Sequence, residues 1–275
     1  AVYLGPLRVA REYSRHIGVL EHGFLSLRTF ARRMGFANEF FSAIPYAHTT
    51  ARRIFEAGHP KLPRYAMLGD IESWLMPTQG VQPPSELPEG YTVTLATPAD
   101  AKELEGLLAA SGSGWSYAPA MSAGQMADLL VKARGLTAFS DMLVLRHKGM
   151  IVGCVGVWDR RAQEQVRVES YSVGTALARM FLGVTSKNLG MLPSPGNTLE
   201  LAYLPFFSVR HSHAKAGGIL LRLASFHAGT LGARAGVICL SEQNSLGREL
   251  GLSGRASRIR IYRILFPGKG TVGES

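Results

Sequence analysis

Two stretches of this 275-residue chain, 4–76 and 199–266, run through the same succession of elements. Each reads as a strand, a short basic loop, a long amphipathic helix, a strand, a shorter helix and a closing strand. Such alternation calls for an α/β fold, a mixed central sheet flanked by helices. In the second copy, the strand Leu199–Val209 is interrupted by Pro205, which cannot donate to a ladder and marks a bulge or an edge. The loop His211–Gly218 follows, then a helix over Ile219–Gly232, a short buried strand Val237–Ser241 and a short helix Asn244–Leu250. Arg258–Leu265 alternates strictly and reads as a half-exposed strand. In the first copy the strand is Leu4–Val9, the loop Ala10–His16 and the helix Ile17–Met34. That helix carries Leu20, Phe24, Leu27, Ala31 and Met34 on one face. The strand Phe40–Ile44, the helix Thr49–Ala57 and closing strands over Tyr65–Met76 complete it. No opening strand, first helices or hairpin precede it, so this copy is expected to be the second half of a unit.

The segment 77–90 is rich in Pro, Gly and polar residues and reads as a linker between an N-terminal domain, 1–76, and a C-terminal domain, 91–266. The larger domain opens with the strand Tyr91–Leu95. Thr97-Pro98-Ala99-Asp100 then starts a helix, with a Thr cap, Pro at the first helical position and an acid in the first turn. Leu104, Leu107 and Leu108 give it an apolar face. A second helix is expected over 122–134, a hairpin over 141–158 turning at His147-Lys148-Gly149, and a strand over Gln165–Tyr171. The apolar stretch 173–192 has helical spacing and reads as a helical insertion. Residues 267–275 read as a flexible tail.

A hydrophobic content of 46% against 18% charged residues describes a globular chain. No apolar run reaches the ~18–20 residues that span a bilayer, and the first residues lack the basic head and apolar run of a signal peptide. A cytoplasmic location without membrane contact is expected. The chain opens without Met and in mid-domain, as a fragment would. Cys154 and Cys239 sit in apolar strand-like runs and read as buried thiols; two cysteines give neither a disulfide framework nor a zinc site, and no metal is expected. The net charge is +10, and its excess lies in the repeated units: ten basic against three acidic residues in 201–275, ten against six in 1–76. A phosphate-rich ligand suits that distribution, as does nucleic acid.

The second loop concentrates the argument. Gly217-Gly218 stands at the mouth of a helix beside His211, His213 and Lys215. Glycines let the backbone come close to a ligand, and the first-turn N–H groups of a helix point outward without internal partners. The loop therefore suits an anion, in particular a phosphorylated cofactor. The alternative is that the two glycines serve only the close packing of helix and strand.

This order of elements, with a basic loop opening the long helix, resembles the GCN5-related N-acetyltransferase (GNAT) family. The stretch 91–266 resembles a whole unit and 1–76 the second half of one, in the manner of bacterial tandem proteins of this superfamily. The resemblance implies a tandem acyl-CoA N-acyltransferase fold with a truncated N-terminal copy. In that family the loop reads Gln/Arg-x-x-Gly-x-Gly/Ala, and its backbone N–H groups hold the pyrophosphate of acetyl-CoA. His213 takes the Gln/Arg position, Ala216 the first Gly, where its methyl is expected to crowd the phosphate, and Gly218 the last; Lys215 and Gly217 are compatible additions. In the first copy Ile17 and Val19 stand where small residues belong, so that copy is expected not to bind. The resemblance further implies that a backbone N–H of Phe207-Ser208-Val209 serves the thioester oxygen and that Asn244 reaches the pantetheine arm, with His48 in its place in the first copy. Glu200 is the implied base, with Glu169 second. The family's Tyr acid falls on Leu250, and on Phe55 in the first copy; neither gives a proton, which leaves Tyr203 as the substitute.

The function so implied is an acyl-CoA-dependent N-acyltransferase, with acetyl-CoA or another acyl-CoA as co-substrate, transferring directly to a small amine or peptide. A homodimer is compatible with it. An acyl-CoA binder or scaffold without catalysis is the alternative. Nucleic-acid binding through Arg255, Arg258, Arg260 and Arg263 is a third reading, in which Arg258, Arg260 and Tyr262 share one strand face; no nucleic-acid motif accompanies the stripe.

Overall fold

A computed structural model describes residues 2–4, 16–35, 40–112, 121–132, 139–161, 166–171, 193–242, 244, 246–250, 252 and 255–266. In chain order these form β1 (Val2–Leu4), α1 (Ile17–Arg33), β2 (Phe40–Pro45), α2 (Thr49–Glu56), β3 (Arg64–Pro77), β4 (Tyr91–Leu95), α3 (Ala101–Gly112) and α4 (Ala123–Lys132). The hairpin strands β5 (Phe139–His147) and β6 (Met150–Asp159) follow, then β7 (Val166–Arg167), β8 (Thr198–Leu199), β9 (Leu201–Tyr203) and β10 (Ser208–Val209). The chain continues through α5 (Ala214–Thr230), β11 (Ala235–Ser241), α6 (Leu246–Glu249) and β12 (Arg255–Leu265). The expected first loop, the insertion 173–192 and the tail 267–275 lie outside the described residues.

The chain divides into two compact units that cut across the repeat. The first comprises 1–72, 241–243 and 257–275; the second comprises 73–240 and 244–256. The closing strand of the second copy thus groups with the first. In the first unit β1 runs parallel to β2, β12 runs antiparallel to β2 from Ile259↔Pro45 to Ile264↔Phe40, and β3 borders β12. Alternation sends Tyr262 and Ile264 of β12 into the core, where Ile264 meets Ala31 and Phe40. Of the five residues expected on the apolar face of α1, Phe24 and Ala31 are buried, whereas Met34 is exposed.

The same strand carries an ionic network. Asp70 is almost wholly buried and accepts hydrogen bonds from Arg258 (Nε 2.8 Å) and Arg260 (Nε 2.9 Å). Arg258 also reaches Glu242, and Arg260 reaches Glu56, which Arg52 and the Tyr262 hydroxyl share. All three guanidiniums stand over the ring of Tyr46, 4.1–5.1 Å from its centroid. Of the arginines that suited nucleic acid in the sequence, Arg258 and Arg260 are therefore engaged by carboxylates of their own unit.

The second unit is built on the order β3–β11–β9–β6–β5–β4, with β3 contributing its last residues and β10 also pairing with β6. β5 sends Leu143 and Leu145 toward α5, and Met142 and Val144 toward α3 and α4, so helices cover both faces. The expected capped helix begins as a 3₁₀ turn, Pro98–Asp100, with a reciprocal Thr97/Asp100 capping box. Asp100 is fixed further by Arg146 of β5. The hairpin turns through Lys148 (φ 50°) and Gly149 (φ 86°), the pair of positive φ values of a two-residue primed turn. The linker is tied at its start: Thr78 is buried and its hydroxyl donates to Ala233 O at 2.5 Å.

Candidate functional site

The break expected at Pro205 is a β-bulge. Tyr203 faces Trp158 of β6 and Ser208 faces Cys154. The chain thus advances five residues while β6 advances four, and the surplus residue makes the bulge. Phe206 inside it sits at φ 59°, an uncommon value for a bulky side chain. Before the bulge β9 runs parallel to β11, and Leu204 N–H still reaches Val237 O at 2.8 Å. After it the chain follows β6, whereas β11 continues to Ser241. Among the described residues no ladder pair joins β10 to β11, so the two strands part, and α5 begins beside the opening.

The loop expected over 211–218 is shorter than the sequence suggested. His211–His213 form a 3₁₀ turn, and α5 starts at Ala214, which makes Gly217 and Gly218 its fourth and fifth residues. The two glycines differ in role. A Cβ on Gly217 would lie 3.1 Å from Val209 Cγ2 and 3.4 Å from Phe207 Cζ, so its bare backbone is what lets the helix approach β10. On Gly218 a Cβ would meet only Leu250 Cδ2, at 3.7 Å. Gly217 thus serves packing, and Gly218 leaves an open face. The Ala216 methyl, expected to crowd a phosphate, is buried with Leu220 and Leu221 instead. The exposed side of the start of α5 is Lys215 and Gly218, continued by Arg222. No carboxylate stands at the start of either helix segment, while Arg210, His211 and Lys215 do stand there. Ala214 N–H is taken by His211 O; beyond it the small Gly218 and the basic side chains of His211 and Lys215 stand exposed together, at the helix end that favours an anion.

His213 leans away from that face. Its Nδ1 shares a 2.7 Å hydrogen bond with the Tyr91 hydroxyl, and its ring lies 5.0 Å from that of His147. Burial, then His147 and Arg210, hold its pKa below the ordinary histidine value. Its ring packs beside Tyr91 of β4 and His147 of β5. Asn244 caps α6, its Oδ1 accepting from Leu246 N–H at 2.9 Å. Leu250 packs on Gly217-Gly218, so an aliphatic side chain occupies the place expected for a proton donor.

Of the two expected catalytic residues, Glu200 is not gathered here. Glu200 takes Arg234 Nε at 2.9 Å and lines a hollow of about 480 Å³ with Gly229, Thr230 and Gly232. Those residues lie at the C-terminal end of α5, about 25 Å from its start at ~1.5 Å per residue. Tyr203 stands at the end of β9, opposite Trp158, with Arg160 5.8 Å from its ring centre. Glu169 is exposed beyond β7. Among the described residues no group of three His, Cys, Asp or Glu side chains is placed to hold a metal ion, and no helix is long and apolar enough to cross a membrane.

No family model and no curated protein matches the sequence. Solved structures do match. A GCN5-related N-acetyltransferase from Sphaerobacter thermophilus superposes with a TM-score of 0.56 at 16% identity, covering 94% of this chain and 72% of its own. A tandem GNAT protein from the clavulanic acid biosynthesis pathway gives 0.54 at 14% identity, over 98% and 77%. Saccharomyces cerevisiae N-myristoyltransferase, solved with bound myristoyl-CoA, gives 0.57 at 10% identity, over 96% and 59%.

Proposed function

The chain has the fold of the GCN5-related N-acetyltransferases, and on that premise we propose that it is an acyl-CoA-dependent N-acyltransferase acting on an amine. The observation that carries the reading is the bulge after Tyr203, which parts β10 from β11 beside the first turn of α5. In this reading the N–H groups of that turn hold the pyrophosphate, with Lys215 beside it and Gly218 leaving room. The pantetheine arm lies in the opening lined by Phe207, Ser208 and Val209. Bound there, the co-substrate supplies an acyl group as a thioester; the chain binds it, orients it and offers a backbone N–H to its carbonyl oxygen. Acetyl-CoA is the form proposed first, and the acceptor is a small amine or a peptide.

A charge-assisted contact contributes about 1.5–3 kcal/mol. Lys215→Glu is therefore expected to weaken acetyl-CoA binding by roughly tenfold or more, measured by calorimetric titration, while the thermal midpoint of the ligand-free protein stays within about 2 °C. Unchanged affinity would contradict the site. A second reading, acyl-CoA binding without turnover, is favoured by two observations: Leu250 in place of a proton donor, and Glu200 paired with Arg234 at the other end of α5. Release of free CoA thiol in the presence of small amines and peptides separates the two readings.

A further inference from the structure

The strained bulge is held from inside. Cys154 is fully buried in β6, and its thiol donates a hydrogen bond to Phe206 O at 3.2 Å. Gly156 N–H, two residues along the same strand, holds Pro205 O at 2.7 Å. Phe206, between these tethers, is the residue at φ 59°. A bulky side chain is disfavoured at such a backbone conformation, so the geometry persists only where neighbours fix it. The peptide plane explains what the tether does. In a trans peptide the C=O and the next N–H point in opposite directions. Fixing Phe206 O against Cys154, on the α3–α4 side of the sheet, therefore turns Phe207 N–H away from that core. Phe207 is also the residue whose ring abuts the first turn of α5 at Gly217.

We propose that Cys154 is a positioning residue: its S–H group orients the Phe206–Phe207 peptide so that Phe207 N–H faces the opening and serves the carbonyl oxygen of a bound thioester. This rests on the acyl-CoA reading. It requires the thiol to keep its proton, and burial does that, pushing Cys154 up to about 12. Cys154 takes no covalent part in this scheme.

The test uses acetyl-CoA labelled with ¹³C at the carbonyl, bound to the full chain and to the Cys154→Ala, Cys154→Val and Cys154→Ser variants. Isotope-edited infrared difference spectra read the polarisation of the bound carbonyl, and titration reads affinity. The wild type is expected to show a downshifted carbonyl band relative to free acetyl-CoA. Alanine and valine are expected to lose that downshift with affinity within about twofold, since the phosphate contacts are untouched; serine, which restores a donor, is expected to recover it. Valine fills the site if alanine leaves the bulge loose. A downshift that persists in both the alanine and valine variants overturns the role of Cys154 and leaves acyl-CoA binding intact. Failure of the wild type to bind acetyl-CoA overturns the functional reading, and this inference with it.

Discussion

Asp70→Ala is expected to cost the first unit about 3 kcal/mol. The carboxylate is almost wholly buried, and Arg258 and Arg260 both converge on it. Removing one partner of a buried ion pair costs about 3–5 kcal/mol, because the other charge is left without compensation. Glu242 and Glu56 retain some hold on the guanidiniums, which places the effect at the low end. Urea unfolding followed by circular dichroism measures it, and a loss below about 1 kcal/mol would show the network to be a surface feature. The pH dependence has a definite sign. Burial alone pushes Asp70 up, but hydrogen bonds from Arg260 and Arg258 outweigh it and hold the carboxyl below its ordinary value. Glu56 is lowered to about 2, chiefly by the Tyr262 hydroxyl, then by Arg52 and Arg260 against burial. A group depressed in the folded state stabilises fully above its unfolded pKa, ~4 here, and the contribution is lost as pH falls through the folded value. Acid unfolding of the wild type is expected between about pH 4 and 2, and Asp70→Asn flattens that dependence.

Gly217→Val is expected to have the largest effect on the candidate site. A first carbon already meets Val209 at 3.1 Å and Phe207 at 3.4 Å, and two more methyl groups force α5 off β10. Overpacking of this kind costs about 1–3 kcal/mol, and displacement of the first turn is expected to remove acetyl-CoA binding by more than tenfold. Gly218→Ala provides the contrast. Its Cβ finds an ordinary contact with Leu250, and alanine gains up to ~1 kcal/mol over glycine in a helix, so stability holds or rises. A Gly217→Val protein that binds as tightly as the wild type would show that the spacing of α5 from β10 is irrelevant to the ligand.

These two residues also mark how far the sequence could be read. The helix–strand order of the described residues and the bulge at Pro205 follow from periodicity and from proline's missing donor, and the structure places them there. The start of α5 is not legible because a Gly pair reads as punctuation, whereas Gly217 is a helical residue that permits close approach. The alternation in Arg258–Leu265 reveals a strand and its faces, but period two says nothing about the neighbour, which is β2 of the first copy. Glu200 looked close to the bulge along the chain. In an extended strand, seven residues to Phe207 are over 20 Å at ~3.3 Å each, and the parallel course of β9 with β11 carries it to the far end of α5. Cys154 gave no signal at all: in an apolar run its thiol is one more small hydrophobe, and only the φ of Phe206 and the β6 register reveal the tether.

The most direct measurement of the acyl-CoA reading is a thermal-shift titration with acetyl-CoA against ATP and a single-stranded oligonucleotide. At 100-fold over its dissociation constant a ligand adds about 2.7 kcal/mol, roughly 5–10 °C for a unit of this size. The account predicts that shift with acetyl-CoA and little with the other two, and its loss in Lys215→Glu. No shift with acetyl-CoA, or an equal shift with all three polyanions, would contradict it.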